Sequence, residues 1–240
     1  MPVHRGYAPG FKAAAAPDAP TINGSESLAA FATAADPHTV SLASQTYSAG
    51  DYLLAVFGAD GAGTIVGMSG STDDTYTELA EAGGNPTNIA VYEGTVVGSL
   101  DANLSVDLGA TRDGVGGLIS ISGAAANANQ PDVAPSTNIG TSASPVCSSI
   151  TTVTDNCLVF AVFHAAGGHT KATVEAAVPS GWNLLFADVT GPNETATFQS
   201  TVGIAYKVQA TEGATGNAAW TSALDASMQW SAIQVAVRPA

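Results

Sequence analysis

The chain has 240 residues, 45% of them apolar and only 11% charged, and a formal net charge of −14. That composition excludes a disordered chain, and the acidity disfavours nucleic acid as a partner, because affinity for a phosphate backbone comes largely from Lys and Arg. No apolar run approaches the roughly 20 residues that cross a bilayer, so no membrane partner is expected.

The charge is unevenly placed. Arg5 and Lys12 give the first twelve residues +2, leaving −16 for the remainder. Residues 1–20 hold four prolines, two glycines and an alanine run, without a strand or helix period. They read as an extended N-terminal arm. Met1 to Tyr7 lacks the apolar centre of a secretory signal, so the chain reads as soluble and synthesised in the cytoplasm.

From Thr21 onward, short apolar or alternating runs separated by Gly, Asn, Asp, Pro and Ser predict strands. Ser27 to Ala35 fits a short helix or another strand. Tyr52 to Phe57 is continuously apolar, as expected of a strand covered on both sides. Ile89 to Tyr92 and Leu104 to Leu108 alternate, which predicts one face on a core and the other toward water or a partner. Residues 124–140, small, polar and punctuated by Pro131 and Pro135, read as a linker. Cys157 to Phe163 is again continuously apolar, and Ile233 to Val237 alternates. If the turn at Thr154-Asp155 joined hairpin strands, Cys157 would lie opposite about position 152 and away from Cys147. Two reduced, partly buried thiols follow.

The halves repeat one another. Ser48 to Phe57 recurs about 106 positions later as Thr154 to Phe163, and Thr75 to Ala80 as Gly181 to Phe186. Ile89-Ala90-Val91-Tyr92 is answered by Gly203-Ile204-Ala205-Tyr206, and Ile119 to Ala124 by Val235 to Ala240. Ordered anchors with growing offsets predict an all-β chain of two tandem antiparallel β-sandwiches, jelly-roll or Greek-key like, at 21–123 and 141–240. Two copies are too few for a propeller.

Chemistry is harder to find. His164 and His169 flank a glycine-rich loop at a spacing that matches no compact zinc pattern, and His4 and His38 stand alone. Asp60-Gly61 and Asp73-Asp74 lack the alternating acidic pattern of a calcium loop and read as turns, although a calcium assembled from distant loops stays open. There is no Gly-x-Ser-x-Gly elbow, and no carboxylate pair stands out for glycoside hydrolysis. The sequons at Asn23, Asn103 and Asn193 read as coincidences without a secretion signal. Accordingly no metal, cofactor or catalytic residue is assigned, and the chain is read as non-enzymatic. Trp182, Trp220 and Trp230 all fall in the second half. They read as core anchors, with contact to a glycan as the alternative.

Several motifs resemble those of tandem β-sandwich virion proteins of tailed bacteriophages and their prophage relatives. They are Gly50-Asp51-Tyr52-Leu53-Leu54-Ala55, Ser120 to Ala124 leading to Pro131-Asp132, Thr151 to Val159, Pro179-Ser180-Gly181-Trp182, Ala205-Tyr206-Lys207-Val208 and Val235 to Pro239. The resemblance spans roughly residues 40–240 and excludes the arm. The first half offers Gly70 to Tyr76 where Pro-Ser-Gly-Trp is expected. It implies a structural component of the virion, most readily a capsid decoration (cement) protein bound to the major capsid protein or other virion proteins. A glycan-binding adhesion module of a tail or fibre is the alternative. A homo-oligomer and a surface glycan are the further partners left open. The arm, through Arg5, Tyr7 and Lys12, is the expected attachment element.

Overall fold

The computed structural model describes residues 17–61, 64–72, 74–84, 86–96, 98–167, 170–190 and 199–240, with only the backbone of residue 32. The arm residues Arg5, Tyr7 and Lys12, together with His4, Asp73, His169 and Asn193, lie outside them.

The described chain is almost entirely antiparallel β. The first half contributes β1 (Thr21–Gly24), β2 (Ala29–Ala35), β3 (His38–Ser41), β4 (Tyr52–Asp60), β5 (Gly67–Gly70), β6 (Thr75–Gly84), β7 (Thr87–Thr95), β8 (Asn103–Asp107) and β9 (Arg112–Ser122). The second contributes β10 (Ser136–Ser142), β11 (Val146–Cys147), β12 (Thr151–Thr152), β13 (Cys157–Ala166), helix α1 (Lys171–Ala176), β14 (Asn183–Val189), β15 (Ser200–Gln209), β16 (Gly213–Ala214), β17 (Ala218–Ala219) and β18 (Met228–Val237). Ser27 to Ala35 resolves as a turn and strand β2, and the stretch read as a linker already carries β10 from Ser136.

Strand order exposes the duplication. The first sheet runs β1-β9-β4-β7-β6 and then continues through β5, β8 and β3, with β2 also on β9. The second runs β10-β18-β13-β15-β14. Strands β4 and β13 therefore occupy the same central place. Register agrees residue by residue: Val56 faces Val91 and Gly117, while Val162 faces Ile204 and Ile233. Both copies carry a bulge at one matched site, between Glu78 and Ala80 and between Leu184 and Phe186. Bulges are positioned features rather than defects. The same register corrects one sequence match by a residue, since Val91 corresponds to Ile204 and Tyr92 to Ala205. A slip of one moves every side chain to the opposite face.

Where β3 pairs with β8 in the first half, the second half uses an interrupted ladder, β11 with β17 and β12 with β16. Strand β12 is thus not the hairpin partner of β13, contrary to the premise of the cysteine argument. The two thiols are nonetheless free and buried, in different clusters. Helix α1 stands where the first half has β5. Its cap is Thr170, whose side chain accepts a bond from the Thr173 N–H at 3.2 Å.

The continuously apolar strands are covered on both faces, as their sequence demands. Tyr52, Leu54 and Val56 of β4 meet Leu158, Phe160 and Val162 of β13 in one cluster that spans both halves. The alternate residues Leu53, Ala55 and Phe57 face an outer cluster closed by β3, β5 and β8, where the nine-stranded sheet curls back over itself. Ala161, Phe163 and Ala165 face another, closed by α1 and the loop bearing Trp220. The two sheets thus pack face to face on a shared core. Their packing is reciprocal: β7 lies on β18 as β15 lies on β9, and β6 on β10 as β14 on β2. That is the pattern of an isologous two-fold interface, here within one chain.

Two expectations about exposure change accordingly. Ile89, Ala90, Val91 and Tyr92 are all buried, and so are Ile233 to Val237. The alternation in β18 marks an outer layer rather than solvent: buried Gln234 accepts from the Thr215 hydroxyl at 2.6 Å. Leu104 to Leu108 does follow its pattern, with Leu104, Val106 and Leu108 buried and Asp107 exposed.

Candidate functional site

The tryptophans are placed by packing. Trp220 is fully enclosed, edge-on to Phe163 with centroids 4.9 Å apart. Trp230 is buried across Gly140, and its Nε1 donates to the Ser142 hydroxyl at 2.9 Å. Neither ring presents a face to a sugar. Trp182 is half-buried against the outer clusters of the second half, with the Lys207 ammonium 4.8 Å from its ring centroid. Burial lowers the Lys207 pKa. Tyr76, its counterpart in the first half, is half-buried as well.

The remaining chemical candidates serve the fold. Asp101 accepts from the N–H groups of Thr72 at 2.8 Å and Asp74 at 3.2 Å and from the Thr72 hydroxyl, while Asp74 accepts from the Asp101 N–H at 2.8 Å. These carboxylates clasp two loops together, as turn-forming aspartates do. His38 Nε2 contacts the Arg112 carbonyl oxygen at 2.6 Å, and its ring packs against Phe31 and Phe57. Cys147 and Cys157 donate to the carbonyls of Val162 and Thr154, and burial pushes both thiols up to about 12. They are inert at neutral pH. Among the described residues no three His, Cys, Asp or Glu side chains gather to hold a metal ion.

One polar constellation was not legible in the sequence. The inward-facing positions that line the shared core continue at one end as Gly58 and Asp60 on β4, Thr87 on β7, Asp113 on β9, His164 on β13, Ser200 on β15 and Ser231 on β18. Hydroxyls cross between the sheets here. The Ser231 hydroxyl donates to the Thr87 carbonyl at 3.0 Å and lies 2.8 Å from the Thr87 hydroxyl, and Ser200 donates to the Asp113 carbonyl at 3.2 Å. His164 is fully buried, with neither ring nitrogen hydrogen-bonded, and fills the space that Gly58 leaves empty: a Cβ at position 58 would stand 2.7 Å from its Cδ2. Burial drives the His164 pKa down to about 3. Burial, aided by the nearby Asp113 charge, raises that of Asp60 to about 6. The crossing hydroxyls of this layer fasten the two sheets to each other.

The surface offers a different feature. Among the described residues strand β10 is an edge of the second sheet, paired in unbroken register with β18. Its half-buried residues Ser136 and Asn138 bond to the carbonyls of Ser148 and Val146, while Thr137, Ile139 and Thr141 are exposed. Ile139 is 55% exposed, at the rim of a 330 Å³ groove that it shares with Glu81, Ala82 and Gly83 of β6. At the far end of the molecule the chain enters beside its own end: Asn156 Nδ2 donates to the Pro17 carbonyl at 2.8 Å, and Pro17, Arg238 and Ala240 line one hollow.

No family model, no curated protein and no solved structure matches this chain.

Proposed function

We propose that the protein is a non-enzymatic structural component that docks on a larger assembly, and that the assembly is a virion, with the capsid surface as the docking site. The partner class comes from the resemblance of its turn and strand motifs to tandem sandwich virion proteins. The observation that carries the non-enzymatic part is how its chemically capable side chains are used. Buried Asp74, Asp101, His38, Cys147 and Cys157 are engaged in fastening the chain to itself, and Trp220 and Trp230 are core. A double sheet welded through a shared core suits a rigid spacer, and several small contacts on a repetitive shell gain through effective concentration.

In this reading the arm is the attachment element: basic at its start, where the body is acidic, and joined to the body beside Asn156. The glycan alternative retains only Trp182 of its three rings.

The test is imaging of particles assembled with and without the arm. Removing residues 1–16 should leave the sheets folded by circular dichroism yet strip the protein from particles, and neutralising Arg5 and Lys12 together should give a smaller, salt-sensitive loss. Full occupancy by the truncated protein would move attachment to the sheet faces, and absence of the protein from purified particles would reject the virion reading.

A further inference from the structure

Sheet edges are a hazard that proteins guard against with charge, proline, bulges, brevity or a covering element. Among the described residues, the other outer strands of the two large sheets carry such devices. Strand β14 is bulged, contains Asp188 and is packed by α1. Strand β6, which pairs with β5 only at Thr75, is bulged and bears Glu78 and Glu81. The pairings of β1 and β2 with β9 are irregular, and β3 is only four residues long. Strand β10 has neither charge, proline nor bulge: seven residues in unbroken register, in a chain whose net charge is −14.

Its sequence is close to a palindrome. Reading outward from exposed Ile139, Ser136-Thr137-Asn138-Ile139-Gly140-Thr141-Ser142 presents Asn138 and Gly140, then Thr137 and Thr141, then Ser136 and Ser142. A two-fold interface requires a patch complementary to itself. Antiparallel pairing of β10 with β10 about Ile139 meets that requirement: Ile139 opposes Ile139, and each Thr137 opposes a Thr141, both favourable cross-strand pairs. Thr137, Ile139 and Thr141 are also the exposed members of the strand. Gly140 cannot gain a side chain without meeting the Trp230 ring, where a Cβ would lie 2.4 Å from Cζ2. Nearby Glu81 is occupied within its own copy, accepting from the Ile65 N–H at 2.8 Å.

We infer that β10 is a homodimerisation edge, whose occupant is β10 of a second copy of this chain, antiparallel and centred on Ile139. Two five-stranded sheets would then form one continuous ten-stranded sheet, with main-chain hydrogen bonds supplying the attraction and the absence of charge allowing two acidic bodies to meet there. The inference is independent of the virion reading and stands or falls without it.

Sedimentation velocity of the full chain over about a hundredfold concentration range should show a monomer–dimer equilibrium. Ile139→Lys places like charges opposite each other at the two-fold and should weaken association roughly tenfold or more, with an unchanged circular dichroism spectrum because the residue is exposed. Ile139→Cys should give a disulfide-linked dimer under mild oxidation, since residues opposed across strands hold their α-carbons about 4.5–5.5 Å apart. Val153→Cys, at a 62% exposed site away from β10, should not cross-link at a comparable rate. A chain that stays monomeric throughout, a dimer indifferent to Ile139→Lys, or equal cross-linking from both cysteines would overturn the proposal.

Discussion

His164 and Asp60 sit at the same end of the shared core and push stability in opposite directions with pH. His164 is neutral when folded, with a pKa near 3 against about 6.5 unfolded. The unfolded chain therefore binds the extra proton between those values, and stability falls as pH drops below about 6.5. Asp60 keeps its proton to about 6 when folded and to only about 3.9 unfolded. Its contribution is full in acid and is lost as pH rises through that window. Each slope can reach about 1.4 kcal/mol per pH unit, so between about pH 4 and 6 the two largely cancel. Urea unfolding should therefore find the native chain nearly flat there. Asp60→Asn should turn the profile upward with pH, and His164→Leu should turn it downward. His164→Leu should also stabilise the protein at neutral pH by about 1–3 kcal/mol, because two unpartnered ring nitrogens leave the interior. Parallel profiles for all three proteins would show that neither group titrates as placed here.

At the level of elements, the imidazole and glycine that meet between β4 and β13 occupy equivalent places in the two copies, Gly58 and His164, so the repeat is asymmetric where it touches itself. Only one bulky side chain fits. Gly58→Ala should destabilise by about 1–3 kcal/mol, since the crowded atoms of His164 include its Cβ, 2.9 Å from the added methyl, which cannot swing aside. In a His164→Ala background the same change should be nearly neutral, and a double-mutant cycle measures the coupling. A cost unaltered by the background would place the strain elsewhere. These elements also mark how far the sequence could be read. The central strands were legible because Tyr52 to Phe57 and Cys157 to Phe163 are apolar at every position, a pattern that survives without knowing what covers each face. The slip at Tyr206 arose because an identical aromatic outweighed register, which only the opposing strand fixes. Burial of β18 on both faces was hidden by its polar members, Ser231 and Gln234, whose partners Thr87 and Thr215 come from elsewhere in the chain. The polar layer was invisible for the same reason, whereas the near-palindrome in β10 lay in plain view within a stretch whose small residues resemble a linker.

For the molecule as a whole, the shared core decides whether the halves are independent. Eighteen buried residues from both sheets form that cluster. Because fully burying each large aliphatic or aromatic side chain contributes about 1.5–3 kcal/mol, separating the folded sheets would cost more than the about 5–15 kcal/mol that holds an entire domain. Two self-sufficient sandwiches joined by a linker would unfold in two steps. A pair of sheets that complete one another should unfold in one. Calorimetry of the full chain is therefore expected to show a single transition with equal calorimetric and van't Hoff enthalpies. Residues 17–135 and 136–240 produced separately should melt without cooperativity and bind a hydrophobic dye, because each alone exposes its face of the common core. Mixing them should restore the transition and displace the dye, as the reciprocal packing of β7 on β18 and β15 on β9 re-forms. A fragment that folds cooperatively by itself would show that the outer clusters, closed by β3, β5 and β8 in one half and by α1 and the Trp220 loop in the other, suffice without the partner sheet.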